Sequence, residues 1–425
     1  MTGTGQQKAR SSDTASFRLT DSISLGVLAE TFHRDLLDEV LSETGRHEER
    51  LRRLPAHVMM RYCMAMCLFS DDSYEEVMRK LVGNLKDLRS WEDNWDIPSA
   101  SALTQARQRL GYEPVQLLFD KVAAPVAGRG TKGAWLGSRR LMAIDGFSFD
   151  VPDTPANAEE FGRSKSGNRD SAFPKVLGVG LGECGTHAIV GAEFGPYNTA
   201  EVKLASRLLK YLEPGMLVMA DRGFYGFQLW RDAAATGADL LWRCSSAVEL
   251  PVIEPLDDGS YRSLLLHPRS ERPRRDKLIA QARAGATLSE DSVIPVRVIE
   301  YEITDRRGGT AELICLITTI LDHRDCPAVE LAAAYHERWE FETTLDELKT
   351  HQRGSGRILR SQSPKMVLQE VWAFLLVHYA IRKLMCRAAD EADVDVDRIS
   401  FIRTLRLVRR HVTGQADFSP SHEKA

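Results

Sequence analysis

Between residues 138 and 244 the chain changes rhythm repeatedly, and that alternation constrains its fold more than any other feature of its 425 residues. LMAIDGFSFDVPD has the apolar run of a strand followed by a polar turn, and KVLGVGLGE with THAIVGAEFG reads as a hairpin. NTAEVKLASRLLKYL then carries an amphipathic helical period. MLVMADRG is a strand ending in polar residues, FYGFQLWRDAAATG a helix and ADLLWRC another strand. Three strands, helix, strand, helix, strand imply an α/β fold with a mixed sheet flanked by helices.

The flanking segments divide the rest of the chain. Residues 1–18 are small and polar without an apolar period and are expected to be a disordered tail. Residues 19–127 read as an all-helical domain. Asp21 or Ser22 caps a helix running to Gly45, and Pro55 opens a second. Asp71 and Asp72 precede a third that stops at Gly83. Ser99 or Ser101 begins the short helix ALTQARQRLGYE, which ends at Gly111. That helix is expected to expose Gln105, Arg107, Gln108 and Arg109, a set suited to base edges and phosphates and equally to an ordinary solvated helix face. A Gly-rich basic linker leads into the first part of the core, 138–244. Residues 245–325 break the rhythm and read as a β-rich insertion. Helical patterns return in 326–412, the second part of the core with the C-terminal helices, before a tail at 413–425.

Composition supports a globular chain, at 43% hydrophobic and 27% charged. No long apolar run or secretory leader is evident, so a cytoplasmic, nucleoid-associated protein without a membrane partner is expected. Its seven scattered cysteines suit reduced thiols, with Cys63 and Cys67 packed in an apolar run rather than holding a metal. Net charge is −4, yet residues 260–283 carry seven Lys/Arg against two acids, and residues 398–411 carry five Arg and no acid. Local basic patches on an acidic chain suit a phosphate-binding surface.

Two strand-like runs reach an aspartate, Asp145 in LMAIDG and Asp221 in LVMADRG, each expected at a strand end where glycine lets the chain turn. Ligands gather at the carboxyl edges of strands in open sheets. Turn aspartates are common for their own hydrogen bonds, so a third feature is needed. AAAYHERWEFETTLDELKTHQ, residues 332–352, supplies it. At roughly 100° per residue one helix would bring Tyr335, Arg338, Glu342 and Lys349 within about 60° of one another, beside an apolar stripe of Phe341, Leu345 and Leu348. A Glu and Arg four apart can equally be a solvated pair worth a few tenths of a kcal/mol. Set beside the two aspartates, Glu342 completes three carboxylates able to hold hard divalent ions. Two ions about 3.5–4 Å apart can drive an in-line displacement at phosphorus.

These residues resemble the DDE transposases of insertion-sequence-4 type over roughly residues 20–412. YHERWEFETTLDELK fits that family's Tyr-x2-Arg-x3-Glu-x6-Lys signature without a gap, and AIDG and ADRGFYG resemble its two aspartate motifs. The resemblance implies an RNase H-like catalytic core with Asp145, Asp221 and Glu342 as catalytic metal ligands for Mg2+ or Mn2+, two ions in all. It implies a β-rich insertion before the glutamate, and Tyr335, Arg338 and Lys349 on the phosphates of the transposon end. It also implies that the helical N-terminal domain binds double-stranded DNA at the terminal inverted repeats, with target DNA as a second partner and a homodimer in the DNA complex. Arg107 and Arg109 are DNA-binding candidates from the short helix. Arg222 either faces the substrate or pairs with a carboxylate. Trp242, Tyr261 and Tyr301 are available as a stacking platform for a flipped base, and none is assigned. The reading is metal-dependent DNA cleavage and strand transfer by cut and paste. Its rivals are a catalytically silent DNA-binding repressor and a nuclease that cuts without joining.

Overall fold

The computed structural model describes residues 25–48, 53–82, 96–166, 169–289, 293–303 and 312–413. The expected cap at Asp21 or Ser22, the stop at Gly83, the N-terminal tail and residues 414–425 lie outside the described residues. Among the described residues no helix is long and apolar enough to cross a membrane.

The alternating segment forms β1 (Arg139–Asp150), β2 (Lys175–Glu183), β3 (Ala188–Pro196), β4 (Met216–Ala220) and β5 (Asp239–Arg243). β1, β2 and β3 are antiparallel neighbours, while β4 runs parallel to β1 and β5 parallel to β4. The resulting order, 3-2-1-4-5, is that of the RNase H-like core the resemblance implies. The expected insertion does not stand apart. β6 (Tyr261–Leu266), β7 (Val293–Ile303) and β8 (Glu312–Thr318) continue the same sheet from β5 in the order β8, β7, β6. With two-residue strands at Trp135–Leu136 and Glu254–Pro255 the sheet has ten strands. The basic stretch between β6 and β7 is helical, with no fully buried residue, its Leu278, Ile279 and Ala282 resting on Leu264 and Leu266.

The helices are α1 (Arg34–Glu43), α2 (Ala56–Leu68), α3 (Tyr74–Val82), α4 (Ala100–Leu110) and α5 (Glu113–Val122) before the sheet. Within and after it come α6 (Pro155–Phe161), α7 (Glu201–Leu208), α8 (Phe227–Ala234), α9 (Arg272–Arg283), α10 (Ala328–His336), α11 (Trp339–Asp346), α12 (Pro364–Ala392) and α13 (Phe401–Thr413). The helix expected to run through to Gly45 is broken at Thr31–His33. A short 3-10 turn precedes the break, and His33 caps α1 by accepting from the Leu36 amide.

The sheet separates two cores. α7 and α8 cover the face bearing Met142, Ile144, Val218 and Ala220. α10, α11 and α12 cover the face bearing Leu141, Ala143, Phe147 and Met219, and the N-terminal helices join that same cluster. α2, buried along its whole length, packs on α12, as do α4 and α5. The N-terminal helices are therefore built around the last long helix of the core. Cys63 and Cys67 lie inside this packing, and burial raises both thiols.

One consequence corrects the expectation for α4. Arg107 is fully buried and donates to Gln369 Oε1 at 2.9 Å, Tyr74 Oη at 3.0 Å and Ser361 Oγ at 3.0 Å. It ties α4 to α12 and presents nothing to DNA. Gln105, Gln108 and Arg109 on the outer side of α4 are exposed.

Candidate active site

Asp145 does not end its strand. β1 continues to Asp150 in pairing with β2, but its parallel neighbour β4 stops at Ala220, opposite Ile144. Asp145 and Asp221 are thus the next residues on two adjacent strands at the point where one strand runs out. Side chains alternate along a strand, so with Ala143 and Met219 facing α11, Asp145 and Asp221 take that face too. Gly146 does not turn the chain, contrary to the expectation. Its amide donates to Asp145 Oδ1 at 2.7 Å, and the Gly223 amide donates to Asp221 Oδ1 at 2.9 Å.

The segment expected as one helix is three pieces. α10 ends at His336, and Glu337 and Arg338 make tight turns through Glu337 N–Ala334 O at 3.0 Å and Arg338 N–Tyr335 O at 3.2 Å. α11 follows and widens into a π-helical turn over Glu347–Gln352. Straight-helix angles therefore do not apply to Lys349, although Phe341, Leu345 and Leu348 are buried as the apolar stripe requires. Arg338, only 8% exposed, forks between two carboxylates: Nη1 donates to Asp145 Oδ2 and Nη2 to Glu342 Oε1, each at 3.2 Å. Its Nε–H is buried with no partner among the described residues. Tyr335 is buried, its hydroxyl 3.4 Å from the Ala220 carbonyl, and burial raises it to about 12. It braces the strand end before Asp221 rather than facing solvent. Lys349 is half-buried. Burial lowers its ammonium, and Asp145 is its strongest opposing charge.

Burial raises the Asp145 carboxyl, and the charges of Asp221 and Glu342 add to that, against the Gly146 amide and Arg338. The structure thus brings together Asp145, Asp221, Glu342, Arg338, Tyr335 and Lys349. As the side chains stand, no three Asp, Glu, His or Cys residues among those described are close enough to hold a metal ion. Arg338 occupies the gap between Asp145 and Glu342. The donor set nonetheless fits a hard divalent ion, being three carboxylates from three elements at one crevice. Arg222 is exposed and its charge is felt by Glu312; among the described residues no ion pair joins it to Asp145, Asp221 or Glu342. Trp242 is fully buried and cannot serve as a stacking platform.

Residues 136–379 match the family described as "Transposase DDE domain", and residues 22–120 match "Insertion element 4 transposase N-terminal". The chain belongs to the insertion element 4 family of DDE transposases. It is similar to the transposase InsG for insertion sequence element IS4 of Escherichia coli (strain K12), with 28% identity over 389 residues, 91% of this chain and 82% of that protein. It is also similar to the putative transposase InsZ of the same organism, with 30% identity over 221 residues, 52% of this chain and 71% of that protein. Among solved structures, a piggyBac transposase synaptic complex with hairpin DNA aligns at TM-score 0.47 and 11% identity, over 93% of this chain and 82% of that one.

Several features of this transposase escape the sequence reading. Trp339, beside Arg338, is 60% exposed, with the guanidinium 5.7 Å from its ring. Glu201, at the start of α7, is half-buried close to the aspartates; burial and the charges of Asp145 and Asp221 raise its carboxyl. A first-turn acid is ordinary in a sequence, so nothing marked it. Behind α11 the π turn directs Glu347 inward, where it accepts from Arg382 Nε at 2.8 Å and lies 3.3 Å from His378 Nε2. Burial alone would raise the Glu347 carboxyl, but hydrogen bonds from His187 and His378 and the charge of Arg382 hold it far below its usual range. A carboxyl lowered by folding stabilises the protein above its unfolded value, 4.5, and loses that contribution as pH falls. Urea denaturation is therefore expected to show Glu347→Gln less stable than wild type at neutral pH, with the gap closing below about pH 4.5.

Proposed function

We propose that this transposase cuts DNA at the terminal inverted repeats of its own mobile element and joins the ends to target DNA by cut and paste. Asp145, Asp221 and Glu342 would hold two divalent ions, Mg2+ or Mn2+. The observation that carries this reading is the side-by-side exit of Asp145 and Asp221 where β4 ends, with Glu342 linked to Asp145 through Arg338. When bound, the ions would activate the attacking water or 3′-hydroxyl and stabilise the leaving oxygen.

The protein's own groups prepare that step. Arg338 holds apart two carboxylates that would otherwise repel, and its Nε–H, buried without a partner, would donate to a substrate phosphate once the side chain is released. Handing Asp145 and Glu342 to a cation would free the rest of its fork for that phosphate. Lys349 adds a point charge, and Tyr335 acts through the β4 end. Arg109 on α4, Arg222, the exposed Arg272, Arg274 and Lys277 of α9 and the exposed Arg403, Arg406 and Arg410 of α13 would grip the DNA backbone. Two transposon ends call for at least a homodimer on DNA.

The test is a gel assay of the purified protein on a labelled duplex carrying its element's terminal repeat, with Mg2+ or Mn2+ against a chelator and a target plasmid present. Metal-dependent cutting at the repeat boundary with joining to the plasmid is expected. Cutting without joining would replace the transposase reading with a nuclease, and a shifted band without cutting would leave only DNA binding. In the same assay Arg338→Ala should bind the end more weakly and flatten the slope of log affinity against log salt by about one unit. An unchanged slope would remove Arg338 from the phosphate contacts.

A further inference from the structure

We propose that Glu201 is a fourth carboxylate of the metal site, reaching the divalent ion from the α7 side, directly or through a water of its shell. This rests on the metal-site reading above and names a residue beyond the three acids of that reading. Three observations carry it.

The first is the glycine after Asp145. Gly146 lies in a continuous strand with no left-handed backbone, so its conformation does not call for glycine. A Cβ there would stand 2.8 Å from Glu201 Cδ and closer still to Oε1. The Glu201 carboxylate occupies the space that a side chain at 146 would fill. By strand alternation Gly146 faces α7, so Glu201 meets β1 opposite Asp145, at the level where β4 no longer shields the strand.

The second is the lack of any partner. Glu201 is half-buried, yet among the described residues nothing donates a hydrogen bond to its carboxylate and no cation pairs with it. Its carboxylate stays in reach of solvent, so in the metal-free protein water alone compensates a charge that a cation could take up. The third is the company it keeps, since the charges acting on it are those of Asp145 and Asp221. A cation at the crevice would relieve all three acids together. Mg2+ retains much of its water shell, so a carboxylate one water away still contributes to binding. The bland alternative, an acid favourable at the N-terminus of α7, explains its place in the sequence but not the room made for it at Gly146.

The test uses the full-length, metal-free protein, with Mn2+ binding measured by calorimetry and by electron paramagnetic resonance of the free ion. Wild type should bind saturably and Asp145→Asn should not. Glu201→Gln should weaken Mn2+ affinity by roughly 10–100-fold while its metal-free melting temperature stays level or rises, because a repulsion is removed. Gly146→Ala, which keeps the charge but displaces the carboxylate, should weaken Mn2+ binding too. It decides the matter if Glu201→Gln fails to fold. Wild-type Mn2+ affinity in Glu201→Gln, or a lowered melting temperature with unchanged affinity, would overturn the proposal and leave Glu201 as a helix-start residue. Absence of saturable Mn2+ binding in wild type would overturn the metal-site reading itself.

Discussion

Asp145→Asn is expected to leave the transposase folded and bound to its terminal repeat within about twofold of wild type, while cleavage falls by roughly 10³-fold or more. Asparagine keeps the shape but only one acceptor oxygen: turned to the Gly146 amide, it sets its NH2 against Arg338 Nη1, and the guanidinium then keeps Glu342 through Nη2. What disappears with that contact is the charge. In the metal-free protein that charge is a burden, because burial and the neighbouring acids raise the Asp145 carboxyl. A carboxyl raised by folding withdraws stability as pH climbs past its unfolded value, so at neutral pH the amide should be no less stable than the acid. Stability and activity thus move apart in one variant, which a merely structural aspartate would not allow. Glu342→Gln should behave alike. Cleavage by Asp145→Asn within tenfold of wild type, measured under single-turnover conditions with Mg2+, would remove it from the metal site.

The alternation of strands and helices was legible because each element has one apolar face, and periods of two and about 3.6 show through. A mixed sheet flanked by helices followed from that alternation and an RNase H-like core from the resemblance, while the strand order is seen in the structure. Asp145, Asp221 and Glu342 could be singled out because their motifs are local, and the structure brings them together. What could not be read is pairing between distant segments. Nothing local in AIDG tells that β1 outruns β4, since the length of one strand is set by where its neighbour stops. Arg107 looked like its exposed neighbours Gln108 and Arg109, and Tyr74 together with Gln369 and Ser361, the last two more than 250 residues away, turn it inward. The break at Glu337–Arg338 and the π turn after Asp346 likewise depend on remote partners, Asp145 for Arg338 and Arg382 for Glu347. Strands of the expected insertion were found, but their union with the core sheet depends on β8 pairing with β5.

The second large effect is expected far in sequence from the three acids, at Gly182→Ala. KVLGVGLGE carries glycine at every second residue, Gly178, Gly180 and Gly182, and the structure explains the pattern. These glycines share the sheet face beneath α11 and make room for rings. A Cβ on Gly178 would meet Phe147 and Phe194 at 2.8 Å, and one on Gly180 would meet Phe341 at 3.1 Å. One on Gly182 would overlap the Phe341 ring itself. Phe341 immediately precedes Glu342 and is 2% exposed, while Gly182 pairs with Ala143, two residues before Asp145. Gly180, the next residue on that face, already lies under both the Phe341 and Phe147 rings, so an added methyl at Gly182 is expected to push α11 from the sheet. Overpacking of this kind costs about 1–3 kcal/mol of stability, and a displacement near 1 Å of a reacting group can cost about 10²-fold in rate. Gly182→Ala should therefore cleave about 10²-fold more slowly while binding DNA within about threefold of wild type. Phe341→Leu in the same chain returns the space taken by the methyl and should recover part of both losses, whereas Phe341→Leu with Gly182 intact should lower both stability and cleavage rate. A wild-type cleavage rate in Gly182→Ala would show that Glu342 is not placed by this contact, and the glycine alternation would then serve packing alone.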